Sequence, residues 1–363
     1  MKAKLSIFIL VVVMILSSCS NIVNTSDLND ENSKVIVDSM DREVRVPLEP
    51  QRVACLFTNT GHIMTMLGSG DKIVAVSNGL KRDKLLHEIA PSIKEAALVK
   101  VSGAVNFEEL LKQNVDLVIM PSDMYADDAL VKQFNKYKIP FIVTQFDSIE
   151  TQQDLVMMLG EVFNAQEEAA LYNAMYDEIR ALVNDCIKDI PAEQRLRVYH
   201  ALNEATNTVP LGSLPEEFMK ISGGLEVSLK DQLIQDNDKY YASLEQIIAW
   251  NPEVIFCNED GVDQYILEKD QWQMIDAVKN HRVYIMPTGI SRWGHTTSIE
   301  TPLAMMWVAK TLYPEACETL DLKAYTQAFY RDLFEYELTD EAYDSIIDGR
   351  GMRLNKDLSD QGE

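Results

Sequence analysis

Residues 106–120 read NFEELLKQNVDLVIM and residues 243–257 read SLEQIIAWNPEVIFC, the same pattern at a constant offset with no gap. In each copy a capping side chain (Asn106, Ser243) opens a helix, a glutamate (Glu108, Glu245) occupies its positively polarised first turn, and an apolar pair follows. A turn, one acid (Asp116, Glu253) and four apolar residues of buried-strand type complete the unit. The match continues outward, RVACLFTN at 52–59 against RVYHALNE at 197–204, and IPFIVTQ at 139–145 against RVYIMPT at 282–288. A chain that repeats one strand and helix unit folds as two related lobes. Short apolar strands between amphipathic helices build parallel sheets, so the expected class is α/β with two Rossmann-like, doubly wound lobes. Such sheets bind ligands outside the carboxyl ends of their strands, and two facing lobes make a ligand cleft there.

Between the copies lies one long helical stretch, residues 164–188, with apolar side chains at spacings of three and four. Asn164 is read as its cap, with Glu167 three residues on, and Pro191 closes it. At 1.5 Å per residue it makes a rod of roughly 36 Å, long enough to join the lobes. Ahead of the lobes, Lys2 and Lys4, the apolar run 5–16 and the Leu16-Ser17-Ser18-Cys19 box read as a lipoprotein leader, with Cys19 carrying the lipid. The apolar run is too short to span a bilayer as a mature helix. The expected organisation is leader 1–19, flexible tether 20–34, N-terminal lobe 35–163, linking helix 164–190, C-terminal lobe with terminal helices 191–349, and polar tail 350–363.

The net charge of −24, or −26 once Lys2 and Lys4 leave with the leader, argues against nucleic acid or an anionic membrane surface as partner. Cys55, Cys186, Cys257 and Cys317 lack CxxC spacing; Cys55 and Cys257 end buried-strand patterns and Cys186 lies on the long helix, so they are read as reduced core residues. The five histidines show no HExxH spacing, and no dedicated metal site is evident. An enzyme of two doubly wound lobes would be expected to carry GxGxxG after a strand, GxxxxGK[ST] or GxSxG; none is present, so the chain is read as a non-enzyme without a resident cofactor.

Cleft contacts should come from loops that follow strands. In the first lobe these include Asn59, Tyr125 and Phe146; in the second, His200, Asn203, Asn258, Glu259 and above all GISRWGHTTS at 289–298. Arg292 can grip a carboxylate, phosphate or oxyanion in a bidentate contact. Trp293 offers a flat apolar face, and His295 or Tyr125 could ligate a metal whose chelator leaves a position open. Packing roles are open to each of them as well, Trp293 at a lobe edge and His295 at the start of the helix from 299.

The lipobox, RVACLFTNTGHIMTMLGSGDKIVAVS, the two copies of the repeat and WQMIDAVKNHRVYIMP together resemble the substrate-binding lipoproteins of ABC importers for iron siderophores, haem and cobalamin, the class III periplasmic binding proteins with one rigid interlobe helix. The resemblance covers roughly residues 35–318. His62 departs from it, standing where the family usually has glutamate. The resemblance implies an extracytoplasmic, lipid-anchored monomer that captures a metal chelate and hands it to a permease dimer with its ATPase. It also implies that Glu108 and Glu245 engage arginines of that permease. Among cargoes, a ferric siderophore is expected first, then cobalamin or haem, with a nickel chelate or molybdate held through Arg292 and His295 as the alternative; a chelatase-like extracytoplasmic enzyme is the alternative of another class.

Overall fold

A computed structural model of the chain describes residues 31–101, 104–237 and 239–354. The leader, Cys19 and most of the expected tether lie outside them. A hairpin of Ser33–Val37 and Glu43–Pro47 opens the fold. The N-terminal sheet has six strands in the order Ala104–Val105, Ala97–Val101, Ile73–Ser77, Val53–Cys55, Leu117–Pro121 and Phe141–Thr144, parallel except at the first pair. The C-terminal sheet contains a parallel trio, Arg197–Ala201, Val254–Cys257 and Val283–Ile285. That trio has the same order and direction as Val53–Cys55, Leu117–Pro121 and Phe141–Thr144, so the duplication written in the sequence is a duplication in space. The lobes differ at one edge, where Asn207–Thr208, Lys239–Tyr241 and Ile234–Asp236 add antiparallel strands to the second sheet.

The repeated helices form as their caps dictate. Asn106 accepts from the Glu109 amide ahead of Phe107–Lys112, and Ser243 with Gln246 makes a full capping box ahead of Leu244–Trp250. The linking helix runs Gln166–Ile187, about 33 Å at 1.5 Å per residue. Its start corrects the sequence reading. Asn164 does not cap it; at φ 56° it closes the preceding helix Ile149–Phe163, a left-handed position that asparagine tolerates better than most residues.

Tyr172, Tyr176, Ile179 and Val183 of the linking helix are fully buried, in a cluster that runs through both lobes and includes Leu303, Met306 and Phe329. Each such side chain contributes about 1.5–3 kcal/mol on burial, so the lobes share one apolar spine. A second correction concerns cysteine. Cys186, in the last turn of the linking helix, is bonded to Cys317, 131 residues further on, with Cα atoms 5.2 Å apart. Packing of the helix end against the second lobe brings the pair into bonding range, and sequence spacing carries no trace of it. Cys55 and Cys257 are free and buried.

Candidate functional site

Helix Thr58–Met66 starts three residues after the strand Val53–Cys55, so its first turn lies at the carboxyl end of the first sheet, with no side chain capping it. Facing it is the loop from Gly289 to Glu300, which follows the last strand of the second sheet. That loop is organised by Glu300, buried within it. Glu300 accepts from the Ser291 amide (2.7 Å), Ser291 Oγ (2.8 Å), Trp293 Nε1 (3.0 Å) and the Tyr330 hydroxyl. Burial raises the Glu300 pKa against the pull of these donors. A Cβ at Gly289 would lie 2.1 Å from both Glu300 Oε1 and the Tyr330 oxygen, so only glycine fits there.

The first lobe and the linking helix hold this loop by three bonds to successive carbonyls. Asn59 Nδ2 donates to Thr297 (2.7 Å), Gln152 Nε2 to Ser298 (2.8 Å) and the Tyr172 hydroxyl to Ile299 (3.0 Å).

Between helix and loop is a cavity of about 120 Å³. The first lobe supplies Thr58, His62 and Asp83, the loop supplies Ser291, Arg292, His295 and Thr297, and Arg353 enters from the C-terminal segment. His62 Nε2 meets Asp83 Oδ2 at 3.0 Å, and Arg353 Nε meets Asp83 Oδ1 at 2.7 Å. Burial alone would raise the Asp83 pKa; Arg353 and His62 outweigh it and hold the carboxyl below its ordinary value. Arg292 pairs with Glu259 and donates to Asn203 Oδ1 (3.2 Å), both through one terminal nitrogen. Burial, with Arg353 and Arg82 nearby, brings its pKa down to about 10 against the pull of Glu259, so it stays charged at neutral pH.

His295 is held neutral in the cavity. Burial first, then the positive charge of Arg292 and Arg353, push its pKa well below the ordinary histidine value. His295 Nδ1 accepts from the Thr297 amide (3.3 Å) and from the Thr297 hydroxyl (2.9 Å), so in the neutral ring the proton is on Nε2, which is then a donor. Under the loop, His200 and Asn258 are buried, and among the described residues neither His200 ring nitrogen and neither Asn258 side-chain amide atom has a hydrogen-bond partner. A Cβ at Gly294 would come within 2.8 Å of His200 Nε2 and 2.9 Å of Asn258 Oδ1. Burial takes the His200 pKa down to about 3.

Of the residues expected at the cleft, Arg292 and His295 line the cavity. Asn59 stands beside it as the clasp on Thr297. The aromatic residues expected at the cleft do not line this cavity. Trp293 is fully buried, because its indole N–H satisfies Glu300 and its ring fills the core, so it presents no face to a ligand. Tyr125 ends a short helical turn and sits under the Arg42 guanidinium, 4.3 Å from its ring centre, away from the cavity. Phe146 packs half-buried on the main core. His62, left open by the sequence, is a cavity residue, and Asp83 and Arg353 were missed. Among the described residues no group of three or more His, Cys, Asp or Glu side chains is arranged to hold a metal ion.

A larger depression, about 550 Å³, opens on the second lobe alone, beside Leu244, Tyr265 and Trp272 with Glu204, Glu259 and Asp260. Among the described residues it has no cationic lining residue and no contribution from the first lobe. The interlobe cavity is therefore the better candidate.

A family model described as periplasmic binding protein matches residues 53–288. The chain belongs to that family and has its two-lobed fold. The molybdate-binding protein MolA of Haemophilus influenzae is 28% identical over 332 residues, covering 83% of this chain and 92% of its own. YvrC of Bacillus subtilis, an uncharacterized ABC transporter substrate-binding lipoprotein, is 26% identical over 311 residues, covering 81% and 93%. The solved structure of Haemophilus influenzae MolA bound to molybdate shares the fold, with a TM-score of 0.74 at 24% identity over 84% of this chain and 99% of that one.

Proposed function

We propose that the chain captures a small tetrahedral oxyanion of the molybdate class in the interlobe cavity and delivers it to an ABC permease. The observation that carries this is that Arg292, Arg353 and His295 together line a space of about 120 Å³. Pockets for drug-sized molecules run about 300–1,000 Å³, so the cavity suits an anion of a few atoms better than a siderophore, haem or cobalamin. The Thr58 hydroxyl can supply a further donor, and the uncapped start of helix Thr58–Met66 favours negative charge. Among the described residues no Trp, Tyr or Phe lines the cavity to offer the aromatic platform that a ferric siderophore would want, and Trp293 is fully buried. The name of the relative MolA points the same way.

Delivery requires docking and retention at the membrane. Glu108 and Glu245 are both exposed at the second position of equivalent helices, and neither makes an ion pair among the described residues, which supports their pairing with permease arginines. Lipid on Cys19 would keep the protein beside that permease, and the Cys186–Cys317 bond suits an oxidising, extracytoplasmic compartment.

Titration calorimetry of the form beginning after Cys19 tests the reading, with molybdate, tungstate, sulfate and phosphate set against ferric siderophores, haem, cobalamin and nickel chelates. Saturable one-to-one binding of a tetrahedral anion supports it; binding of a chelate and of no anion refutes it.

A further inference from the structure

The expected polar tail does not hang free where it is described. After helix Asp340–Asp348, still tied to the second lobe through Thr288 N and Ile346 O (3.0 Å), the chain turns at Gly349 and Gly351, both with positive φ. A Cβ at Gly349 would lie 2.6 Å from the Met286 carbonyl, so the turn requires glycine. Residues 351–354 then lie against residues 82–84 of the first lobe. Lys84 N donates to Met352 O (3.1 Å), Leu354 N to Arg82 O (2.8 Å) and Arg82 Nε to Leu354 O (2.9 Å), and Lys84 Nζ reaches Gly351 O (2.6 Å). The segment is a strap that crosses from one lobe to the other, and its antiparallel register sets Arg353 opposite Asp83.

That register has a chemical result. Among the described residues every hydrogen bond of Arg353 goes through Nε, to Asp83, while its side chain lines the cavity opposite the Arg292 loop. Arg292 is arranged alike, one nitrogen held by Glu259 and Asn203 and its side chain lining the same space. Each guanidinium is thus oriented by an acid on one side and keeps further N–H donors for a ligand.

We propose that Arg353 is an anion-binding residue, carried to the cavity by the strap, so that the oxyanion is gripped between Arg292 of the second lobe and Arg353 docked on the first. The proposal rests on the oxyanion reading and adds to it the second half of the grip. Strap and ligand then stabilise each other: the anion holds Arg353 in place, and the strap closes the lobes over the anion.

Molybdate affinity, measured by calorimetry for the wild type, Arg353→Gln, Arg353→Lys and the double variant Asp83→Asn with Arg353→Gln, tests this. Ligand-free melting is recorded alongside. The double variant removes the carboxylate that the single glutamine variant would strand, so it reports on affinity should the single variant fold poorly. Loss of a charge-assisted contact predicts about tenfold weaker binding or worse in both glutamine variants, with Arg353→Lys recovering part of it. If the wild type binds molybdate and the glutamine variants stay within twofold of it, Arg353 only anchors the strap, even if the melting temperature falls, and the proposal is overturned. If the wild type binds none of molybdate, tungstate, sulfate and phosphate, the oxyanion reading itself fails and takes the proposal with it.

Discussion

Reducing the Cys186–Cys317 bond should destabilise the protein without weakening its ligand binding. The bond closes a segment of 131 residues. In the chain-entropy model a loop of that length restricts the unfolded state by about 17 cal/mol/K, or about 5 kcal/mol at 25 °C. Unfolding entropy near the midpoint is about 2.1 cal/mol/K per residue; over the roughly 320 described residues this converts 5 kcal/mol into a fall of about 7 °C. Neither cysteine lines the interlobe cavity, so affinity should be unchanged. The assay is scanning calorimetry of the form beginning after Cys19, with and without a phosphine reductant, together with thiol labelling in denaturant. Two thiols, Cys55 and Cys257, should label before reduction and four after. Four labelled thiols in the unreduced protein would refute the pairing, and an unchanged melting temperature on reduction would refute the energetic argument.

Glu226 provides a pH test of the second lobe. Burial raises its pKa to about 7 from an ordinary 4.5, so between those values the fold binds more protons than the unfolded chain and loses stability as pH rises. Glu226→Gln should therefore be up to about 3 kcal/mol more stable than wild type at pH 8, less whatever the new amide leaves unpaired; the advantage should shrink towards zero near pH 4.5, and a difference flat with pH in denaturant titrations would contradict this. Burial and the neighbouring arginines keep His295 neutral, and a bound dianion would raise its pKa. Molybdate affinity should then tighten as pH falls from 8 towards 6, with proton uptake visible as buffer-dependent binding heats that vanish in His295→Ala. The double variant Glu108→Ala, Glu245→Ala should bind cargo normally yet fail in cellular uptake; full uptake would remove the docking role.

What was legible in the sequence was whatever is local or repeated. Asn106 and Ser243 announce their helices by side chains that reach an amide three residues on, and the strands Leu117–Pro121 and Val254–Cys257 announce themselves by apolar runs. The Arg292 loop could be placed because it follows a strand and carries glycines. The rest depends on long-range packing. Cys186 meets Cys317 only once the linking helix lies against the second lobe. Trp293 looks like an exposed platform until Glu300, seven residues away, accepts its N–H inside the core. Arg353 sits in a polar stretch with no periodicity, and its partner Asp83 is 270 residues earlier. Asn164 shows the limit of cap reading: it satisfies the pattern for a helix start, yet its left-handed backbone ends the helix before.

The most direct test of the central claim is a crystal of the protein soaked with tungstate, measured at the tungsten absorption edge. The account predicts one strong anomalous peak in the interlobe cavity, within hydrogen-bonding reach of Arg292, His295 Nε2 and Arg353. A cavity without a peak, in crystals where a metal chelate instead occupies the open face beside Tyr265 and Trp272, would contradict it.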